Sequence, residues 1–301
     1  MTSVLLTGAT GYVGGQLLAL LADDGQLRCL VRDPSRAPEA VRPYAVRGDA
    51  LSGEGLDTAL DGIEVAYYLI HSMGRKGGSG ESFAERDRRA AEMFGAAAAQ
   101  AGVRRLIYLG GLSGGDDAEA SSAHLRSREE VAEILARHVP QLVHVRAAMV
   151  LGPGGASFEM LRALVKRLPA MVCPRWIDTR TQPIALEDVV RALYALRDYR
   201  FVVGINDVEL GGAEVLSYRE MMERTAAAMG RRPPLIVRVP VLTPRLSSWW
   251  VMLVTPVDNG LVRPLVDGLR EEMVVRTQPP AGINDAPMDF NAAVRAALVE
   301  H

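Results

Sequence analysis

The sequence predicts an α/β protein: a doubly wound parallel sheet followed by a smaller, mixed C-terminal subdomain. Three observations carry that prediction. Short apolar runs alternate with amphipathic stretches through residues 1–151. A glycine-rich stretch joins the first run directly to the first amphipathic stretch. Beyond residue 152 the alternation gives way to helical segments and proline-broken extended pieces. Alternation at this pitch implies a parallel sheet covered by helices on both faces.

The elements follow in order. Residues 4–6, 28–31, 65–70, 105–109 and 142–145 read as strands, because each is short, β-branched or Leu-rich, and bounded by Gly, Asp or Pro. A further strand is expected at 45–46. Residues 13–22, 83–101 and 126–136 read as amphipathic helices between them. In the second half, 157–168, 217–229 and 288–298 read as helices, and 184–196 as a strand end running into a helix with Asp188 near its start. Prolines 233, 234, 240 and 244 break the chain into short extended pieces, and 278–287 resembles a linker. The expected division is residues 1–151 for a ligand-binding domain and 152–301 for a substrate subdomain interleaved with the last sheet strands.

Composition narrows the function classes. The 301 residues are 49% hydrophobic and 23% charged, which is ordinary globular composition. Net charge is −2 and no Lys/Arg run tracks a helix, so no nucleic-acid partner is expected. Cys29 and Cys173 are too few for a disulfide framework or a four-ligand zinc site. They read as free thiols in a reducing compartment, no metal is expected, and no signal peptide is read, so the expected location is cytoplasmic. The most apolar stretch, 246–257, is far shorter than the ~20 residues of a membrane span. Only Lys76 and Lys166 among the 34 basic residues are lysines, which limits any mechanism needing a catalytic lysine.

Open parallel sheets bind ligands beyond the C-terminal ends of their strands. Residues 7–14 read T-G-A-T-G-Y-V-G, with Gly8, Gly11 and Gly14 at every third position after the first strand. Gly8 can take positive φ in the tight turn. Gly11 lets the backbone approach a pyrophosphate, and Gly14 lets the helix pack closely on the sheet. The free N–H groups at the helix start then face phosphates. This is the loop of a Rossmann-type dinucleotide site, with Thr10, Tyr12 and Val13 beside the glycines. Asp33, 19 positions after Gly14, suits an NAD ribose. Arg32 immediately precedes it and suits the 2′-phosphate of NADP, with Arg36 adding charge. NADP is favoured over NAD. Asp49, beside Ala50, reads equally as an adenine contact or a turn residue. Leu69, His71 and Ser72 close the run 65–70 and lie near the middle of the cofactor.

These motifs resemble the short-chain dehydrogenase/reductase superfamily, and its atypical, NmrA-like members in particular. L-V-R-D-P at 30–34, G-D-A at 48–50 and G-V-R-R-L-I-Y-L-G-G at 102–111 carry the resemblance. It continues through H-L-R-S-R-E-E-V, S-F-E-M-L-R, T-Q-P-I-A-L-E-D-V and L-T-P-R-L-S-S-W-W, so it spans nearly the whole chain. The resemblance implies a sheet ordered 3-2-1-4-5-6-7 and a C-terminal substrate subdomain. Conventional members carry Tyr-x-x-x-Lys, with the tyrosine as proton donor. None of the eight tyrosines here has a lysine four residues on. By alignment to the family pattern, His124 replaces the tyrosine and Arg128 the lysine, while Ser113 falls in the region of the family's catalytic serine.

His124 and Arg128 share one helix face at i, i+4. Arg128 is expected to lower the His124 pKa and favour neutral imidazole, which still donates a hydrogen bond. The bland alternatives are a helix-start histidine with a surface ion pair at Arg128, and a turn hydroxyl at Ser113. Trp176, Trp249 and Trp250, with Met252 and Leu253, read as an apolar substrate pocket, a homodimer face or plain core. The favoured function is an NADP-dependent reductase of a small or medium apolar carbonyl or enone. The alternatives are an NAD(P)-sensing regulator without turnover and a non-redox isomerase or cyclase.

Overall fold

A computed structural model of the chain describes residues 2–23, 25–71, 82–113, 122–173, 175–238 and 268–299. Seven strands form the main sheet: β1 (Val4–Thr7), β2 (Leu27–Val31), β3 (Ala45–Arg47), β4 (Val65–Tyr68), β5 (Arg105–Gly111), β6 (Gln141–Ala147) and, after four short strands, β11 (Gly204–Leu210). The short ones are β7 (Val150–Leu151), β8 (Ala170–Cys173), β9 (Arg180–Thr181) and β10 (Ile184–Ala185). Two more follow, β12 (Leu216–Ser217) and β13 (Leu235–Arg238). The sheet order is β3-β2-β1-β4-β5-β6-β11, every pair parallel, which is the order the resemblance implied.

Helices alternate with the strands: α1 (Tyr12–Leu21), α2 (Leu56–Leu60), α3 (Phe83–Gln100) and α4 (Ala123–Ala136) precede β6. Then come α5 (Ala156–Arg167), α6 (Leu186–Leu196), α7 (Tyr218–Ala228) and α8 (Phe290–Val299). Successive side chains of a strand point to opposite faces. Accordingly Leu6, Tyr67, Ile107 and Val143 pack under α1 and α6, while Leu5, Tyr68, Leu106 and Leu142 pack under α3 and α4. Both faces are buried, which is why these strands read as continuous apolar runs.

A second core gathers Phe158 and Leu161 of α5, Met221 and Met222 of α7, and Phe290 and Val294 of α8 around Trp176 and Ile177. Between α5 and α7 the chain returns to the first core through α6 and β11. The stretch resembling a linker, 278–287, carries no helix or strand but is fastened. Ile283 is buried in the first core, and Asn284 Nδ2 donates to the Gly211 carbonyl at 2.9 Å. Asp188 accepts from Met288 N at 2.8 Å and pairs with Arg191. Ser72, the 74–80 glycine stretch with Lys76, and the apolar run 246–257 with its paired tryptophans lie outside the described residues.

Candidate dinucleotide and substrate site

A cavity of about 1390 Å³ follows the C-terminal ends of β1, β2, β4, β5 and β6. It exceeds the roughly 300–1,000 Å³ of a single-ligand pocket and has room for two ligands side by side. One end lies at the glycine loop. Gly8 has φ +69°, and a Cβ there would come within 2.8 Å of the Leu69 carbonyl oxygen. A Cβ at Gly14 would sit 2.2 Å from the Gly8 carbonyl oxygen, so the helix lies directly on its own entry turn. Gly11 N donates to the Gly8 carbonyl at 2.8 Å and closes that turn. Helix α1 has no side-chain cap and no acidic residue in its first turn, so its leading N–H groups are left for an anionic ligand.

Thr7 supports this end and was missed from sequence. Its hydroxyl donates to the Tyr67 carbonyl and accepts from Leu69 N, both at 2.9 Å, so it clamps β1 to the chain leaving β4. A fully buried threonine closing an otherwise aliphatic strand was the available signal. Tyr12 wedges its ring between the loop and the start of α5. A Cβ at Gly152 or Gly155 would strike it at 2.5 or 2.7 Å. Burial, helped by Glu159, pushes the Tyr12 hydroxyl pKa up, and that hydroxyl has no hydrogen-bond partner.

Around the far side of the loop, Arg32, Asp33 and Arg36 all line the cavity and are exposed. Asp33 is occupied. Its Oδ1 accepts from Ser35 N at 3.0 Å and from the Ser35 hydroxyl at 2.6 Å, capping the short turn 34–36. Those bonds, led by the Ser35 hydroxyl, hold its carboxyl below the usual range. Arg32 has no ion pair or hydrogen bond among the described residues. Asp49 Oδ1 accepts from Leu51 N at 2.8 Å, so the structure shows its turn role, while the residue also lines the cavity beside Ala50.

Leu69 and His71 follow β4 into the middle of the cavity, facing the first turn of α4. Ser122 caps α4 by accepting from Leu125 N at 3.3 Å. The helix starts three residues before the expected 126, which places His124 in its first turn. His124 and Arg128 both line the cavity, as the i, i+4 spacing requires. Arg128 is half-buried and donates from Nη1 to the Leu109 carbonyl at 2.7 Å, while its buried Nε finds no partner. It is tethered to the end of β5 rather than to a surface carboxylate. Burial first, then Arg128, pushes the His124 pKa down to about 3. The direction matches the sequence expectation, but burial is the larger cause. His71 is pushed down by the same causes, with His124 adding to them. His71 is exposed where it lines the cavity. Ser113 is not among the residues that line the cavity.

The other end belongs to the second half of the chain and was read only through Trp176. Met149 follows β6 as His71 follows β4, so the rule that sites follow strand ends pointed to it. Met160 and Leu164 come from α5, and Tyr218, Met221 and Met222 from α7. Their helical spacing signalled core, and they serve as core and cavity wall together. Among the described residues no cluster of His, Cys, Asp or Glu could hold a metal ion, and no helix is long and apolar enough to cross a membrane.

Residues 8–150 match the model of a family described as NAD(P)H-binding. Over 277 residues the chain is 31% identical to the ceramide reductase of Caulobacter vibrioides (strain NA1000 / CB15N), covering 86% of this chain and 81% of that one. The chain belongs to the atypical short-chain dehydrogenase/reductase family of NAD(P)-binding proteins. A further family relative is the (4-alkanoyl-5-oxo-2,5-dihydrofuran-3-yl)methyl phosphate reductase of Streptomyces griseus, 28% identical over 235 residues, 76% of this chain and 74% of that one. The fold matches the Citrobacter sp. triphenylmethane reductase complexed with NADP(H), with TM-score 0.73 and 16% identity over 98% of this chain and 100% of that chain. A Staphylococcus aureus nucleoside-diphosphate-sugar epimerase gives TM-score 0.73 and 19% identity at the same coverage. As in other short-chain dehydrogenase/reductase folds, the glycine loop here opens the first helix.

Proposed function

We infer that the protein is an NADP-dependent reductase acting on an apolar carbonyl or enone. The observation that carries this reading is one cavity joining an uncapped, glycine-lined helix start to an apolar wall, with His124 and Arg128 lining it too. The α1 N–H groups would hold the pyrophosphate, and Arg32 the 2′-phosphate, since Asp33 is bound to Ser35. A bound NADPH supplies a hydride to the substrate carbon. His124, neutral at working pH, donates a hydrogen bond to the substrate oxygen and stabilises the charge developing there. As its N–H proton passes to that oxygen, a solvent hydronium ion returns a proton to its second ring nitrogen, so the reduction consumes one solvent proton and the ring stays neutral. Arg128 keeps a positive charge beside the ring, and its bond to the Leu109 carbonyl fixes its position.

The test is NADPH oxidation by the purified chain with enones, quinones and ketones, alongside His124→Ala. Turnover reduced at least tenfold in the variant, with NADPH affinity unchanged, is the expected result. No turnover with any of them would overturn the reading. A second reading, cofactor binding without turnover, draws on the absent Tyr-x-x-x-Lys and on the Leu109 tether of Arg128. It predicts that oxidised and reduced cofactor bind with different affinity while no acceptor is reduced.

A further inference from the structure

The two ends of the cavity differ in charge. Its lining arginines, Arg32, Arg36, Arg86 and Arg128, and its lining carboxylates, Asp33 and Asp49, all come from the first 128 residues. From Ala147 onward the described lining carries no charged side chain. Methionines 149, 160, 221, 222 and 273 form much of that wall. A phosphate or carboxylate entering there would lose its water and meet no counter-charge among these residues. Thioether side chains are unbranched and polarizable, so such a wall adapts to apolar bodies of different shape.

Two donors lie just behind the apolar surface. Trp176 and Tyr218 line this end, with ring centroids 6.1 Å apart and planes at 83°. They are 7% and 4% exposed, and neither Trp176 Nε1 nor the Tyr218 hydroxyl has a hydrogen-bond partner. Thr181, whose own hydroxyl also lacks a hydrogen-bond partner, lies beside the Tyr218 hydroxyl. Both polar atoms lie behind the wall surface, and the methionines are the part of that wall able to yield. Unpaired donors in apolar surroundings reward a ligand oxygen and penalise an analogue that lacks one.

We propose that this end takes an uncharged, lipophilic substrate bearing an oxygen function away from its reacting carbon, and that Trp176 and Tyr218 are the specificity-determining residues that bind that oxygen. The proposal rests on the reductase reading for the reacting carbon but not for the binding itself. The test uses the full chain loaded with NADP⁺ and three probes of one shape: naphthalene, 2-naphthol and 2-naphthoate. Affinities are measured by competition against a neutral solvatochromic dye. The expected result is 2-naphthol at least tenfold tighter than both others. Tyr218→Phe and Trp176→Phe should each reduce its advantage over naphthalene, leaving naphthalene within about twofold of the parent. Unchanged naphthalene affinity also shows that the variants are folded. The proposal is overturned if 2-naphthoate equals 2-naphthol, if the advantage survives both substitutions, or if no probe binds. NADPH titration of the same samples reads the cofactor site separately, so failure here is distinguishable from failure of the reductase reading.

Discussion

At the scale of single residues, the proposed preference for NADP rests on Arg32. Its side chain has no other commitment among the described residues, whereas Asp33 is spent on Ser35. A charge-assisted hydrogen bond contributes about 1.5–3 kcal/mol, and each 1.4 kcal/mol is about tenfold. Arg32→Ala should therefore weaken NADPH binding about tenfold to a hundredfold and leave NADH within about twofold, read by calorimetric titration. Gly11 and Gly14 separate fold from function. A Cβ at Gly14 would strike the Gly8 carbonyl oxygen at 2.2 Å, so Gly14→Ala should lower the melting temperature and abolish dinucleotide binding together. At Gly11 the nearest contact would be 3.1 Å, so Gly11→Ala should keep most stability and lose binding. Equal stability losses in the two variants would contradict this assignment. The glycine spacing was legible because each position forbids a side chain for its own steric reason. For Ser113, alignment gives a sequence region only, and the residue is not part of the cavity lining.

His124 adds a pH dependence with a definite sign. Unfolded, it titrates near 6.5, and folded near 3. Between those values the unfolded chain binds a proton that the folded chain refuses. This group therefore leaves stability unchanged above about 6.5 and lowers it as pH falls toward 3. Urea midpoints should drop from pH about 7 to about 5, and His124→Gln should shrink that drop. An unchanged drop would show that the imidazole is not held neutral by the fold.

At the scale of elements, the junctions between strands and helices set the site. Thr7 ties β1 to the end of β4, and losing its hydroxyl leaves a buried Leu69 N–H and Tyr67 carbonyl to find other partners. Thr7→Val, nearly the same shape, should cost about 1–3 kcal/mol in urea unfolding. A change below that range would mean that water replaces the hydroxyl. The five central strands were legible because burial on both faces makes them apolar throughout. Strand β11 was not: its sequence is Gly-Ile-Asn-Asp-Val-Glu-Leu, and as an edge strand it leaves Gly204, Ile205 and Asp207 exposed. The expected start of α4 came late because A-H-L lacks a strong periodic signal, although Ser122 is a recognisable cap.

At the scale of the molecule, two hydrophobic cores share one cavity, and the chain passes between them repeatedly. The first core positions the uncapped start of α1 and Arg32; the second supplies an apolar wall. The first half of that arrangement was legible, since a glycine loop between strand and helix has local rules. The second was not, because Met160, Tyr218, Met221 and Met222 have the same helical spacing whether they face a core or a cavity.

A ligand at about 100 times its Kd stabilises the fold by ~2.7 kcal/mol, so saturating NADPH should raise the melting temperature and NADH at the same concentration should raise it less. The central claim is tested most directly by titrating the purified chain with NADPH, NADP⁺, NADH and NAD⁺ in a calorimeter. The account predicts that NADPH and NADP⁺ bind at least tenfold tighter than NADH and NAD⁺. Equal or tighter binding of NADH would contradict the role of Arg32, and failure to bind any of the four would contradict the glycine-loop site itself.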